Sequence, residues 1–252
     1  MPALSIRSLR KSFLRGPTHS LVRTEALAGV DLDLHEGEIL GIVGGKNAGK
    51  TTLLLCAAGL LRRDAGSIHW FGERFSGGGC LPGLAYVPAV PTYYPFLTIR
   101  EALDCYGAGQ NCQVSHRIHL ARRIAARLHL ADELSARVST LGIDALKRVG
   151  IAQALMEESR VLLLDGTCDD LGSSATLTRR VISEAASEGV TVFIASRHPC
   201  VLAPIATRIV VIDSGCVAGC FAAERSAMQR VQDDSVFAAL PAQMRHIAER
   251  VH

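Results

Sequence analysis

An α/β fold with a parallel sheet at its centre is predicted by three features of the sequence. Apolar runs of strand length recur in EILGIVG, RVLLLDG and TVFIAS. Stretches of helical periodicity lie between them, and that alternation builds parallel sheets. A glycine-rich turn, GGKNAGK, joins the first run to an apolar helix. Bulk composition agrees: 252 residues, 48% hydrophobic and 20% charged, allow one large domain or two small ones with an ample core. With 27 basic and 24 acidic residues the formal charge is only +3, and no single-sign block occurs, so no nucleic-acid partner is expected.

The elements follow in order. LSIRSL and VDLDLHEGEILGIVG alternate as early strands, the second ending in a buried run. TTLLLCAAGLL reads as a buried helix with a polar exit from Arg62 to Gly66, and SIHWFGERF as a short hairpin. SGGGCLPG at 76–83 is a loop by composition, and LAYVPAV a strand running into proline. From Leu97 to about Val138 the chain turns helical and arginine-rich. Ile118, Leu120, Ile124 and Leu128 are expected on one buried face, with Arg117, Arg122, Arg123 and Arg127 in solvent. His116, His119 and His129 lack acidic or thiol neighbours and read as surface residues. A helix at about 174–188 closed by Gly189 precedes the strands TVFIAS and RIVVIDSG. Beyond Cys220 the tail reads as one or two amphipathic helices split by Pro241.

No membrane span is expected, since LLLCAAGLL at 53–61 is too short. The N-terminal MPALSIRSLRKSF mixes charges where a secretory signal needs an unbroken apolar run. Eight cysteines without a CxxC pair fit reduced thiols in a cytoplasmic protein.

Gly44 to Thr51 fits GxxxxGK[ST] and lies between a predicted strand and a predicted helix, the context in which that spacing cradles a nucleotide phosphate. Backbone N–H groups of Gly44, Gly45, Lys46, Asn47, Ala48 and Gly49 would ring the phosphate at the positive end of the following helix. Lys50 would neutralise β- and γ-phosphate charge, with Thr52 following on the helix, and the Thr51 hydroxyl would ligate Mg²⁺. Asn47 stands where glycine is common, and asparagine tolerates positive φ. Lys46 either adds a second cation at the phosphates or points to water.

From about residue 4 to 218 the order of segments resembles the ATP-binding subunit of ABC transporters. SLRKSF looks like the family's first strand, which makes Phe13 the aromatic that stacks on adenine. VPAVPTYYPFLTIREAL looks like the glutamine loop, STLGIDALKRVGIAQALM the signature segment, VLLLDGTCDDLG the Walker B and D-loop, and TVFIASRHP the switch-histidine segment. YPFLTIREAL and the short tail look most similar to export-type subunits. The resemblance implies a P-loop NTPase (RecA-like) core, an N-terminal antiparallel β subdomain and a helical subdomain inserted at about 97–144. The cassette would occupy 1–220 and the tail 221–252.

The departures share one pattern: the cradle is kept while positions that sense or attack the γ-phosphate are changed. Ala89 stands for the glutamine, and Gly142, Ile143 and Asp144 for the signature serine and two glycines. Asp144 would bring a carboxylate toward a partner's polyphosphate. Asp165 remains as the acid on the Mg²⁺ side, but Gly166 replaces the glutamate that polarises water, a loss of about 10²–10⁴ in rate. Gly172 replaces the D-loop aspartate, and Arg197 takes the switch-histidine register, either pairing with the γ-phosphate or facing solvent. His198, one residue later, points to the opposite side unless a bulge re-aims it. Asp169 and Asp170 are candidate replacement bases, but they lie three and four residues past the glutamate position, on a different turn, which disfavours them.

The resemblance therefore implies ATP and Mg²⁺ as ligands, with hydrolysis weak or absent, or else a slow working ATPase, or a scaffold that uses ATP structurally. It also implies a second ATP-binding subunit, identical or different, and a membrane permease subunit contacting the Ala89 region. The location would be peripheral, on the cytoplasmic face of the inner or plasma membrane.

Overall fold

The computed structural model describes residues 1–15, 21–77, 81–107, 114–157, 159–169 and 172–222. The tail beyond Ala222 and Asp170 lie outside the described residues. The chain opens with two long strands, β1 (Pro2–Arg15) and β2 (Val22–His35), then β3 (Ile39–Val43), α1 (Lys50–Ala57), β4 (Ala65–Trp70), β5 (Glu73–Phe75) and β6 (Leu84–Val87). The helices α2 (Ile99–Gly107), α3 (Val114–Arg127) and α4 (Ile143–Met156) follow. The last part alternates: β7 (Val161–Asp165), α5 (Ala175–Ser187), β8 (Thr191–Ser196), α6 (Pro199–Leu202), β9 (Arg208–Asp213) and β10 (Cys216–Ala222).

The described residues form two sheets, one mainly parallel as the α/β pattern predicts and one antiparallel as the resemblance implies. One is antiparallel, in the order β2-β1-β4-β5; the other runs β10-β9-β3-β8-β7-β6. In the second, β9, β3, β8, β7 and β6 are parallel and only β10 runs against its neighbour. The central strands β3, β7 and β8 are buried at every position. That is why they read as unbroken apolar runs and not as alternating ones. Helix α1 buries Leu53, Leu54, Cys56 and Ala57 between the two sheets, in one cluster with Leu4, Ile6, Ile42 and Phe193. An element packed on both sides has no polar face to show, which explains the apolar run LLLCA after Thr52.

Helices α2, α3 and α4 share a separate core of Ile99, Leu103, Leu120, Ile124, Leu128 and Val149. Arg148 fastens this lobe, donating from Nη1 to the carbonyls of Leu128 (2.8 Å) and His129 (2.9 Å). Ile118 departs from the expected face: it is 45% exposed, while Ala121 and Ala125 complete the buried stripe. Ile118 and Leu120 are two residues apart, about 200° round a helix, and cannot share a face. The sequence reading also ends the last strand before the tail. The chain instead reverses at Ser214 and Gly215, both with positive φ (49° and 79°), and returns as β10. Two residues with positive φ form the hairpin turn whose twist suits paired strands.

Candidate functional site

The loop 44–49 joins β3 to α1 and is enclosed by main chain. A Cβ on Gly44 would stand 2.2 Å from the Ile212 carbonyl oxygen, and one on Gly49 2.4 Å from that of Ala26. Gly49 has φ +108° and Asn47 φ +65°, so asparagine does occupy the left-handed region expected of it. From behind, the Gly215 N–H donates to the Ala48 carbonyl at 3.0 Å. Lys46 and Asn47 are exposed at the lip.

Lys50 folds back over the loop, its Nζ donating to the carbonyls of Gly44 (2.6 Å) and Gly45 (2.7 Å). Burial pushes the Lys50 pKa down; the nearby carboxylates of Asp165 and Asp169 oppose this, and Arg197 adds to it. Next along α1, the Thr51 hydroxyl is hydrogen-bonded to Asp165, the last residue of β7. Asp165 is 6% exposed, and burial holds its pKa above the ordinary carboxylate value. Thr51, Tyr86 and Lys50 pull it back down, while Asp169 pushes it further up. The Tyr86 hydroxyl donates to Asp165 Oδ2 at 3.4 Å, and its own pKa is raised, first by burial and then by the Asp165 charge.

Beyond Asp165 the geometry changes sharply. The Gly166 N–H still donates to the Ala195 carbonyl (2.9 Å), but Gly166 takes φ +55° and the chain turns back, Asp169 N–H donating to the Gly166 carbonyl at 3.1 Å. Asp169 is therefore not remote from position 166, as its sequence offset suggests. Its Oδ2 lies 3.7 Å from where a Gly166 Cβ would be, and the Ala89 Cβ lies 3.3 Å from the same point. Asp169 is 4% exposed; Ser196 Oγ donates to its Oδ1, and the Arg197 N–H to its Oδ2 at 3.2 Å. Lys147 of α4, 3% exposed, donates from Nζ to the carbonyls of Gly166 (3.1 Å) and Asp169, fixing the turn from below.

Of the two switch candidates, Arg197 faces this cluster. Its Nε is 3.8 Å from Asp169 Oδ2 and its charge is felt at Lys50. His198 is exposed at the start of α6, where its N–H donates to Ser196 Oγ. Gly172, with φ +49°, opens the short 3₁₀ turn Gly172–Ser174. Asp144 also has partners in its own chain: its Oδ2 accepts from Ser174 Oγ (2.8 Å) and Arg148 Nε (3.2 Å). The pairing with Arg148 balances the charge of a carboxylate that stays one-third exposed. Phe13 lies half-buried on the β1–β2 hairpin, paired with Thr24, with Lys11 Nζ 5.5 Å from its ring centroid. Tyr86, Lys147 and Ser196 were not anticipated. A lysine amid the apolar ALKRVGIA is the one signal that could have pointed to Lys147.

Residues 27–169 match the family model described as ABC transporter. The chain belongs to the ABC transporter family. Relatives include the methionine import ATP-binding protein MetN of Brucella abortus (strain 2308), 28% identical over 226 residues, covering 86% of this chain and 59% of MetN. The Fe(3+) ions import ATP-binding protein FbpC of Mesorhizobium japonicum is 29% identical over 223 residues, covering 85% and 59%. The chain thus spans about 59% of the length of these relatives. Among solved structures, the ATP-binding cassette MJ0796 bound to ADP and Pi, a dimer, superposes with TM-score 0.78 at 19% identity, over 88% of this chain and 99% of its own. A nucleotide-free ATP-binding cassette superposes with TM-score 0.74 at 18% identity, over 95% and 98%. In this ABC transporter chain the matched span holds the phosphate loop, Ala89, Asp144, Lys147, Asp165 and Asp169, and the fold is the ATP-binding cassette fold.

Proposed function

We propose that this chain is the ATP-binding subunit of a membrane transporter, one that holds Mg·ATP firmly and turns it over slowly. The observation that carries the reading is the contrast within one site. Lys50, Thr51 and Asp165 are drawn together round a sterically enforced loop, whereas Gly166 and Ala89 present only backbone and a methyl where an acceptor for water would be needed. The hydroxyl of Thr51 and the carboxylate of Asp165 are hard oxygen donors in mutual contact. Burial leaves the Asp165 charge poorly compensated, a deficit that a divalent cation would relieve, and Mg²⁺ is commonly held by one or two such protein oxygens completed by phosphate and water. Bound there, Mg²⁺ would neutralise β- and γ-phosphate charge. Phe13 would stack on the base, Lys50 would grip the phosphates, and Arg197 would hold the γ-phosphate as a guanidinium does, without accepting a proton.

Partners follow from the surface. A groove of about 650 Å³ lies between the end of α1, β6 and α4, lined by Leu60, Tyr86, Pro91, Gln153 and Glu157. Beside it Val90, Tyr94 and Phe96 are 63%, 70% and 66% exposed, with the Tyr94 and Phe96 rings stacked at 5.6 Å. Exposed aromatics next to a mostly apolar groove would suit a short helix of a permease subunit, and a chain docked on such a subunit would lie at the cytoplasmic face of the membrane. A second ATP-binding subunit, identical or different, would complete the sandwich. Since β10 runs to Ala222, the cassette would extend to that residue, two beyond the expected 1–220, with the helical insertion at 97–144 and the tail after Ala222. An export role rests on YPFLTIREAL and the short tail, and the import names of the relatives lend it no support.

The test is binding of a fluorescent ATP analogue, with Mg²⁺, to the purified chain and to Lys50→Ala. Binding that is lost in Lys50→Ala is expected. Equal binding by both proteins refutes the nucleotide reading.

A further inference from the structure

We infer that Asp169 supplies the carboxylate that position 166 lacks and takes the proton of the attacking water in the slow hydrolysis proposed above. The inference rests on that reading. Hydrolysis of a phosphoanhydride needs an acceptor fixed beside the water that attacks. At position 166 there is none, but the Gly166–Asp169 turn brings a carboxylate beside it. Asp169 Oδ2 lies 3.7 Å from the point where a Gly166 Cβ would begin, within the reach of a glutamate side chain built there.

The carboxylate is also held in place. Ser196 Oγ occupies Oδ1, the Arg197 N–H touches Oδ2, and Lys147 clamps the carbonyls at both ends of the turn. Arg197 Nε, 3.8 Å from Oδ2, is an ion-pair partner beyond hydrogen-bond distance, and each carboxylate oxygen accepts about two hydrogen bonds, so Oδ2 keeps a lone pair for water. Its charge reaches both Lys50 and Asp165, so it stands within electrostatic range of the phosphate loop. Gly166 is what permits the arrangement. Its φ of +55° suits glycine, and a larger side chain would start 3.3 Å from the Ala89 Cβ and press on Asp169. Loss of a side chain at 166 and arrival of a carboxylate at 169 are two sides of one local geometry.

In the step itself, the water oxygen bonds to the γ-phosphorus and the bond from that phosphorus to the β–γ bridging oxygen breaks, its electron pair leaving on ADP. One water proton passes to Asp169 and from there to solvent; the other stays on the released phosphate.

The experiment compares ATP turnover, nucleotide Kd and thermal melting of the purified chain with those of Asp169→Asn, Asp169→Ser and Lys50→Ala. Slow turnover in the parent chain, reduced about 10²-fold in both Asp169 variants with Kd unchanged or tighter, is the expected result. Parent turnover no higher than that of Lys50→Ala overturns the inference. So does turnover within threefold of the parent in whichever Asp169 variant melts cooperatively. If Lys50→Ala binds nucleotide as well as the parent, the underlying ATP reading fails; if it loses binding while the Asp169 variants still turn over, only the role of Asp169 fails.

Discussion

Replacing Gly49 with alanine puts a methyl 2.4 Å from the Ala26 carbonyl oxygen and 3.1 Å from Leu27 Cδ2, at φ +108°. The opposing atom is backbone of β2, pinned two residues on where the Ala28 N–H donates to the Gly215 carbonyl at 2.9 Å. It cannot swing aside as a side chain could. A left-handed backbone costs an L-residue about 1–2 kcal/mol. Forcing a methyl into a packed contact adds about 1–3 kcal/mol. The sum, roughly 2–5 kcal/mol, lowers Tm by about 10 °C in a chain of this size, where each kcal/mol is worth about 2–4 °C. Gly37→Ala isolates the first contribution, since Gly37 has φ +70° and nothing within 4 Å of its Cβ position. Circular-dichroism melts of both variants, with nucleotide titration of each, separate backbone strain from steric collision. Gly49→Ala should melt well below Gly37→Ala and bind nucleotide more weakly. Equal Tm for the two would refute the claim that Ala26 closes the loop.

Two further outcomes follow from the buried titrating groups. Because the Asp165 pKa is raised in the folded chain, protonation favours folding; stability is lost as pH rises from the ordinary carboxylate value through the raised one. Asp165→Asn escapes that loss, so its Tm advantage over the parent should widen from acid toward neutral pH, and a gap independent of pH in melts across that range would contradict the assignment. Burial pushes the Cys168 thiol up to about 12 and the Cys56 thiol to about 11, whereas Cys105, Cys200, Cys216 and Cys220 are exposed. Alkylation near pH 8 followed by peptide mapping should modify the exposed group and spare Cys56 and Cys168 until the chain is unfolded. Rapid labelling of Cys168 in the native protein would show that β7 and its turn are not packed as described.

The sequence by itself determined the parallel sheet, because strands buried on both faces must be written as apolar runs, and ILGIV, VLLLD and TVFIAS are such runs. It also determined the phosphate loop, since GGKNAGKT states in order where backbone must turn and where a cation must stand. What it left undecided depends on chain reversals and long-range packing. Ser214 and Gly215 turn β9 into β10, and neither that strand nor its N–H to Ala48 is written near the loop it supports. The pairing of Asp144 depends on Ser174, 30 residues away, and the burial of Lys147 on carbonyls 19 and 22 residues away. Asp169 is the clearest case. Counted along the chain it stands beyond the position it serves; a left-handed glycine and a buried lysine bring its carboxylate back beside Gly166. Local periodicity and motif spacing report what neighbours along the chain must do, whereas the place of a single carboxylate is fixed only when distant segments close round it.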